Sequence, residues 1–226
     1  MNRTADVVIV GAGVIGSATA FELAKRGYKT LNIDKLPASG YGSTSNSCAI
    51  VRAHYSTWDG VAMAYEGFFY WDDWNKYLEV EDERGMAKYM KTGSIMFMLK
   101  GADHSKKSLN LFKEIGVEHE IWDLETLKKK MPIYSHDSYN GTSRPDEDDS
   151  FFDKSGDQIE GAVWTPGSGY VSDPQLATHN LQVATEAKGG EFLFDAEITE
   201  IRQSNGQIQG VTLKSEEQID CKVLVN

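Results

Sequence analysis

Three glycines near the start of the chain, Gly11, Gly13 and Gly16, follow the spacing G-x-G-x-x-G directly after an apolar run. Between a strand and a helix this spacing is typical of a dinucleotide site. The first glycine permits a tight turn, the second lets a pyrophosphate approach the backbone, and the third lets the helix pack on the sheet. Asp34 follows roughly 20 residues later, where a carboxylate can accept hydrogen bonds from a ribose hydroxyl. The predicted contacts include the residues beside these positions: Ala12, Val14, Ile15 and Lys35.

The elements that must position these residues follow from the local sequence. Residues 7–10 are a short β-branched run, which predicts a strand buried on both faces. A helix is predicted from about residue 14 to 26, ending at Gly27, and its N-terminus would point free N–H groups at the phosphates. A second strand over residues 29–33 ends in Asp34. The helix residues expected to be available for burial are Ile15, Ala18, Leu23 and Ala24.

Residues 35–48 form a polar loop rich in turn formers. A plain dinucleotide dehydrogenase would usually continue here to a helix and a third parallel strand. Ser43, Thr44 and Ser45 instead offer hydroxyl and backbone N–H groups to a second phosphate or to a larger cofactor. A solvated connection is the alternative interpretation of this loop.

The remaining chain alternates helical and extended patterns without internal repeats. Helices are predicted over residues 59–78, 105–115, 124–131 and 174–187, and strands over residues 93–99, 162–165, 192–194, 198–202, 208–213 and 219–225. Asn205-Gly206 is a hairpin signal. Residues 79–84 are predicted to be a solvated charge run, and residues 135–157 an exposed polar excursion. The acidic stretch 146–149 lacks the spacing of a calcium loop, so no metal site is predicted.

Composition limits the function classes. The 226 residues contain 23 Lys and Arg against 34 Asp and Glu, a formal net charge of −11. This balance argues against a nucleic-acid partner, and no basic run suggests an anionic membrane surface. Two cysteines, Cys48 and Cys221, imply no disulfide framework. No apolar run approaches the roughly 20 residues that span a bilayer, and the first strand begins too early for a signal peptide. We therefore expect a cytoplasmic protein.

The order of these parts resembles the FAD-dependent amino-acid and amine oxidase family, whose members include sarcosine oxidase, glycine oxidase and D-amino-acid oxidase. The likeness is carried by VVIVGAGVIGSATAFELAKRG, GSTSNSCAIVRAHY, GAVWTPGSGYVSDPQL and CKVLVN, and it is strongest toward sarcosine oxidases, especially the β subunit of the heterotetrameric enzymes. The resemblance implies an α/β fold with a Rossmann-like FAD-binding domain, residues 1–85 and 171–226. An α+β substrate domain carrying an antiparallel sheet, residues 86–170, is interleaved with it.

The resemblance also implies roles for individual residues. The three glycines would face the FAD pyrophosphate, Asp34 the adenosine ribose and the main chain at Ile198 the adenine, while the loop of Ser43, Thr44 and Ser45 would approach the cofactor. Arg52 aligns with an arginine that holds the substrate carboxylate in monomeric sarcosine oxidases, and a guanidinium can bind a carboxylate through a planar bidentate fork. A surface ion pair is the alternative for Arg52. His54 and His179 are expected to be packed or exposed rather than catalytic.

The implied activity is oxidation of a secondary or tertiary amino acid, such as sarcosine or a methylated glycine, with a hydride equivalent passing to the flavin. Partner subunits are implied if the protein is of the heterotetrameric type. Two alternatives remain: a flavoprotein without turnover, such as an assembly factor, and a D-amino-acid or glycerol-3-phosphate dehydrogenase that passes electrons to quinone. Family chains continue beyond the final V-L-V-N, and only about three parallel strands are identifiable where a doubly wound sheet usually has five or six. The chain is therefore expected to be an N-terminal fragment that is inactive alone.

Overall fold

The computed structural model describes residues 3–101, 103–139, 144 and 146–226. The elements in chain order are β1 (Arg3–Val10), α1 (Val14–Ala24), β2 (Thr30–Ile33), β3 (Ile50–Val51), α2 (Trp58–Asp72), α3 (Trp74–Leu78), β4 (Tyr89–Met90), β5 (Ser94–Met98), α4 (Asp103–Ile115), β6 (Glu120–Asp123), α5 (Leu124–Lys130), β7 (Asp137–Tyr139), β8 (Lys154–Gln158), β9 (Gly161–Thr165), β10 (Gly169–Val171), α6 (Pro174–Ala187), β11 (Glu191–Leu193), β12 (Ile198–Ser204), β13 (Gln207–Leu213) and β14 (Gln218–Val225). The chain divides into two compact units.

The first unit comprises the chain up to Ile50 together with Tyr70–Tyr89 and Val171–Asn226. The second unit comprises Val51–Phe69 and Met90–Tyr170. The resemblance implied that residues 51–69 belong to the cofactor domain and residues 86–89 to the substrate domain. In the structure, residues 51–69 belong to the second unit and residues 86–89 to the first. A separate three-stranded sheet has the order β3-β10-β4.

A six-stranded sheet with the order β11-β2-β1-β14-β13-β12 forms the centre of the first unit. Four of its strands, β11, β2, β1 and β14, are parallel, and β13 and β12 continue the sheet in antiparallel pairing. The sequence expectation of about three parallel strands was therefore one too few. A strand was predicted over residues 192–194, but its parallel pairing with Leu31–Ile33 was not, because that pairing joins segments far apart in the chain.

The first strand confirms the prediction of a strand buried on both faces. Because side chains alternate along a strand, Val8 packs with Leu31 and Ile219 on one face, while Val7 and Ile9 pack with Ala20 of α1 on the other. Such two-sided burial is what selects a continuous β-branched run.

The C-terminus of α1 and the N-terminus of α6 follow local sequence signals. Gly27 follows the last turn of α1 with a φ of +87°, and its N–H donates to Ala24 O at 2.9 Å. Asp173 caps α6 by accepting from Leu176 N at 2.9 Å, with Pro174 in the first helical position. Asn205 and Gly206 both have positive φ and join β12 to β13, as the hairpin signal predicted.

An antiparallel sheet with the order β5-β9-β6 forms the second unit together with α4 and α5. Val163 of β9 is fully buried and packs with Phe112 of α4 and with Met96 of β5. Asp123 caps α5 by accepting from Thr126 N at 2.8 Å, and α5 begins at Leu124, where the predicted helix begins.

Two further sequence expectations were wrong. The predicted helix 59–78 is two helices, because Asp73 has non-helical backbone angles. Asp82, placed in a solvated charge run, is buried because it accepts hydrogen bonds from Arg84 N and from the Asn180 side chain. The described residues of the polar excursion are mostly exposed, as expected, and they include the β7–β8 hairpin, which was not predicted. Residues 140–143 and 145 of that stretch lie outside the described residues.

Candidate functional site

The glycine turn between β1 and α1 has the geometry that the spacing predicted. Gly11 has a φ of +96°, a conformation that glycine adopts without strain, and a Cβ at this position would meet no atom within 4 Å. A Cβ at Gly16 would lie 2.3 Å from Gly11 O, so α1 can sit this close to the turn only because residue 16 is glycine. The turn therefore leaves open space on one side and contacts the helix on the other.

The carboxylate of Asp34 is bound to the turn. Its Oδ2 accepts from Ala12 N at 2.7 Å, and its Oδ1 accepts from Leu36 N at 2.9 Å. An ionised carboxylate has about four lone-pair positions, so each oxygen retains capacity for a further donor such as a ribose hydroxyl. Gly11 N also donates to Ile33 O at 2.8 Å, so the end of β2 holds the backbone of the turn from two successive residues.

The loop over residues 35–48 is attached to the same turn. Val14 N at the start of α1 donates to Thr44 Oγ1 at 3.1 Å, and a Cβ on Gly13 would lie 3.3 Å from that hydroxyl. Gly40 N donates to Ala12 O at 2.9 Å. Ser43 and Ser45 are exposed. Thr44 therefore lies at the N-terminus of α1, where an anion would also bind.

A pocket of about 310 Å³ brings together residues from three separated segments of the first unit. Gly11, Asp34 and Lys35 line it, and so does Ile198, the first residue of β12. Four of the predicted cofactor residues therefore share one cavity. Among the others, Ala12 is buried in the turn, whereas Ile15 is 81% exposed. The expectation that Ile15 would be buried was wrong because it lies in the first turn of α1, facing away from the sheet.

Arg52 lies in the second unit and is exposed. Its Nη1 donates to His54 O at 2.9 Å, and its guanidinium carbon lies 5.4 Å from the centre of the Tyr55 ring. Neither of these partners is a carboxylate. A guanidinium has five N–H donors, so Arg52 retains donors in a fork that a carboxylate can meet.

The residue that holds Arg52 is itself fixed by a buried polar network. The His54 ring is stacked on Phe112, and its Nε2 lies 3.1 Å from Thr165 Oγ1. Thr165 Oγ1 also lies 2.9 Å from the hydroxyl oxygens of Ser94 and Ser168. Burial, together with the charges of Arg52 and His104, lowers the pKa of His54 to about 4. His54 is therefore neutral at pH 7 and packed, as expected from the sequence.

His179 pairs with Asp82 through an Nδ1–Oδ2 distance of 2.5 Å, beside the buried amide of Asn180. Desolvation raises the pKa of Asp82, but hydrogen bonds from Arg84 N, His179 and Asn180 outweigh it and leave the pKa lowered. This cluster attaches the segment before β4 to α6, which is a structural role for His179.

Sequence reasoning missed Asn32. Its side chain is fully buried in β2, and its Nδ2 donates to Gly11 O at 3.0 Å. A buried asparagine in an otherwise apolar strand is uncommon, and this was the signal available in the sequence. The structure of the described residues contains no group of three or more His, Cys, Asp or Glu side chains able to hold a metal ion.

Comparison with known proteins decides the family. Residues 6–226 match the model of the DAO family, described as FAD dependent oxidoreductase. The chain belongs to this family. The glycine turn and the pocket at Asp34 fit the family's cofactor, because the turn has free space at Gly11 and the pocket joins the turn to the carboxylate expected at a ribose.

Three similar proteins illustrate the relationship. A monomeric sarcosine oxidase of Streptomyces avermitilis is 26% identical over 200 residues, which cover 88% of this chain and 45% of the relative. A D-amino acid dehydrogenase of Rhodopseudomonas palustris is 25% identical over 239 residues, covering 91% and 56%. The solved L-proline dehydrogenase from P. horikoshii matches with a TM-score of 0.78 at 21% identity, covering 100% of this chain and 53% of that one.

These matches confirm the predicted mixed α/β fold, in which a Rossmann-like sheet carries antiparallel strands. The chain spans about half the length of the relatives it matches. Across the described ranges, no helix is both long enough and apolar enough to cross a membrane.

Proposed function

We propose that this chain supplies the FAD-binding residues and a substrate-carboxylate contact of an oxidoreductase acting on the C–N bond of a secondary or tertiary amino acid. The observation that carries the proposal is the pocket shared by Gly11, Asp34, Lys35 and Ile198 beside the glycine turn. The substrate class is supported by similarity to a monomeric sarcosine oxidase over most of the chain.

The adenosine half of FAD would lie in this pocket. Asp34 would accept from the ribose hydroxyls with the lone pairs that Ala12 N and Leu36 N leave free. The pyrophosphate would lie at the N-terminus of α1, where Gly13 keeps the backbone accessible and Thr44 lies close to Val14 N. When bound, the flavin would accept a hydride equivalent from the substrate carbon.

Arg52 would bind the substrate carboxylate. Its hydrogen bond to His54 O fixes one edge of the guanidinium and leaves the remaining N–H groups for a ligand. The Tyr55 ring restricts the same side chain through a cation–π contact. A pre-oriented arginine loses less side-chain freedom on binding, and this favours a productive substrate orientation.

An amino-acid dehydrogenase is a second candidate, because the D-amino acid dehydrogenase of Rhodopseudomonas palustris matches 91% of this chain. A flavoprotein without turnover is the third. We further propose a cytoplasmic protein with a small amino-acid or amine substrate, and partner subunits if it is of the heterotetrameric type. The cytoplasmic location is supported by the two cysteines, both of which are free.

The cofactor is tested by titrating the purified 226-residue chain with FAD and following flavin fluorescence, with NAD titrated in parallel. We expect FAD to bind and Gly13→Val to abolish binding, because its side chain would occupy the space of the pyrophosphate. Gly67→Val, in α2 with no atom within 4 Å of the added Cβ, should leave the affinity unchanged once folding is verified by circular dichroism. Preference for NAD over FAD would contradict the proposal.

The substrate is tested with the full-length protein. Reduction of its flavin under anaerobic conditions is followed as loss of the yellow colour after addition of sarcosine, dimethylglycine or proline. Arg52→Ala should lower kcat/KM roughly 10- to 150-fold, corresponding to about 1.5–3 kcal/mol for a charge-assisted pair, and should leave FAD content unchanged. Arg84→Ala, at another exposed arginine, is the control. Turnover with dyes but not with oxygen would favour the dehydrogenase, and no bleaching with any substrate would favour the flavoprotein without turnover.

A further inference from the structure

The backbone of the glycine turn is held by three consecutive residues at the end of β2. Gly11 N donates to Ile33 O at 2.8 Å, Ala12 N donates to Asp34 Oδ2 at 2.7 Å, and Gly11 O accepts from Asn32 Nδ2 at 3.0 Å. The first of these bonds is formed by main-chain atoms and is independent of side-chain identity. The bonds from Asp34 and Asn32 depend on the side chain.

Gly11 O lies in the crevice between the turn and α1. A Cβ on Gly16 would lie 2.3 Å from this oxygen and 3.5 Å from Asn32 Nδ2, so the carbonyl and the amide are enclosed beneath the start of the helix. Among the described residues, it is the Asn32 side chain that donates to Gly11 O. Rotation of the peptide group that carries this oxygen would also move the N–H of Ala12, which Asp34 holds.

The carbonyl end of the Asn32 amide is buried and unsatisfied within the described part of the chain. Asn32 is 0% exposed, and its Oδ1 has no hydrogen-bond partner among the described residues. A buried, half-satisfied amide is destabilising compared with an apolar side chain of similar size. Its presence in β2 is therefore not explained by packing, whereas the bond to Gly11 O gives it a specific effect on the turn.

We propose that Asn32 is a positioning residue for cofactor binding, which fixes the peptide plane at Gly11 and thereby the shape of the phosphate-binding turn. The proposal rests on the proposed FAD function. Asn32 acts through the backbone of Gly11, since its own side chain is enclosed beneath α1.

The same strand offers a matched control. Thr30 lies two residues before Asn32 and therefore on the same face of β2. It is 2% exposed, and the residues that the structure describes provide no partner for its Oγ1. A Cβ on Gly190 would lie 2.6 Å from Thr30 Oγ1, which places this hydroxyl beside the C-terminal end of α6 rather than at the turn. Thr30→Val removes a buried, unpartnered polar atom without touching Gly11.

The experiment compares Asn32→Leu, Asn32→Ala and Thr30→Val in the 226-residue chain, under conditions where urea titration shows each protein to be folded. FAD affinity is measured by flavin fluorescence, and amide hydrogen exchange is measured over residues 11–16 and over β14 without cofactor. Both Asn32 variants should bind FAD roughly 10-fold more weakly, which corresponds to about 1.4 kcal/mol. Their amides at residues 11–16 should exchange faster while those of β14 do not, and Thr30→Val should match the original protein in both measurements.

Two outcomes would overturn the proposal. Asn32 variants with unchanged exchange at residues 11–16 would show that the amide does not hold the turn, and Thr30→Val with the same effects would show that any polar loss on this face suffices. If the original chain binds no FAD, the proposed function fails. The exchange comparison then still decides whether Asn32 fixes the turn. Because Leu fills the site and Ala leaves space, agreement between the two variants separates loss of the hydrogen bond from a steric effect.

Discussion

Protonation of His54 should destabilise the second unit at mildly acidic pH. The residue is 7% exposed, and burial among Phe112 and the Thr165 hydroxyl lowers its pKa to about 4 from 6.5. The unfolded chain therefore binds a proton at His54 between pH 6.5 and pH 4 while the folded chain does not. The neutral histidine stabilises the fold fully above pH 6.5, and this contribution is lost as the pH falls toward 4.

The size of the effect follows from the difference between the two pKa values. Each pKa unit corresponds to about 1.4 kcal/mol, so the complete shift corresponds to about 3–4 kcal/mol. Between pH 7 and pH 4.5, where most of the transition occurs, the free energy of unfolding should fall by about 2–2.5 kcal/mol on account of this residue. Carboxylates titrate in the same range, so the prediction concerns a difference between two proteins.

The assay measures urea unfolding of the original chain and of His54→Gln at several pH values from 7.5 to 4.5. Glutamine retains a polar group toward Thr165 and does not titrate. The original protein should be the more stable one at pH 7.5, and its advantage should shrink by about 2–2.5 kcal/mol by pH 4.5. Two stability profiles that run parallel over this range would refute the reasoning, as would an NMR titration of the His54 ring with a midpoint near 6.5.

Two further predictions concern stability. Gly16→Ala should lower the free energy of unfolding by about 1–3 kcal/mol and weaken FAD binding, because its Cβ would lie 2.3 Å from Gly11 O. Gly67→Ala, in α2 with no atom within 4 Å of the new Cβ, should instead stabilise the protein by about 0.5–1 kcal/mol in thermal melts. Equal melting shifts for the two variants would contradict this. Asn180→Leu should lower the free energy of unfolding in urea by about 3 kcal/mol or more, because Trp74 Nε1, Ala87 N and Asp82 would each lose a hydrogen-bond partner. Asn75→Leu, at an exposed position, is its control. A loss below about 1 kcal/mol for Asn180→Leu would show that these groups find other partners.

The parts of the fold that the sequence predicted are those determined by a few adjacent residues. The glycine turn, the start of α6 at Pro174 and the Asn205-Gly206 hairpin each depend on backbone preferences that act within a few positions. Strand β8 carries no such signal, because all five of its residues are exposed and its sequence lacks apolar alternation. Asp82 was misjudged for a related reason, since its buried partner Asn180 lies 98 residues later in the chain.

In the candidate site, too, residues identified from local sequence differ from those that needed other information. Gly11, Asp34 and Lys35 were identified from local spacing, whereas Ile198 came from resemblance alone, and the pocket joins all four. Arg52 was also identified by resemblance, and its geometry now adds the hydrogen bond to His54 O. The groups behind these residues were not predicted, because a buried asparagine or histidine is interpretable only once its neighbours are known.

Asn32 and His54 support predicted ligand contacts in the same physical way. Each is a buried polar side chain near a backbone carbonyl at a predicted contact: Asn32 donates to Gly11 O, and the His54 ring, held by Phe112 and the Thr165 hydroxyl, belongs to the residue whose carbonyl accepts from Arg52. An apolar replacement at Asn32 would remove the side-chain donor to Gly11 O and the unsatisfied Oδ1 together. Stability alone therefore does not account for Asn32, whereas a requirement for fixed backbone geometry at the turn does. A buried polar residue next to a predicted contact is thus the place where mutation should separate ligand affinity from folding.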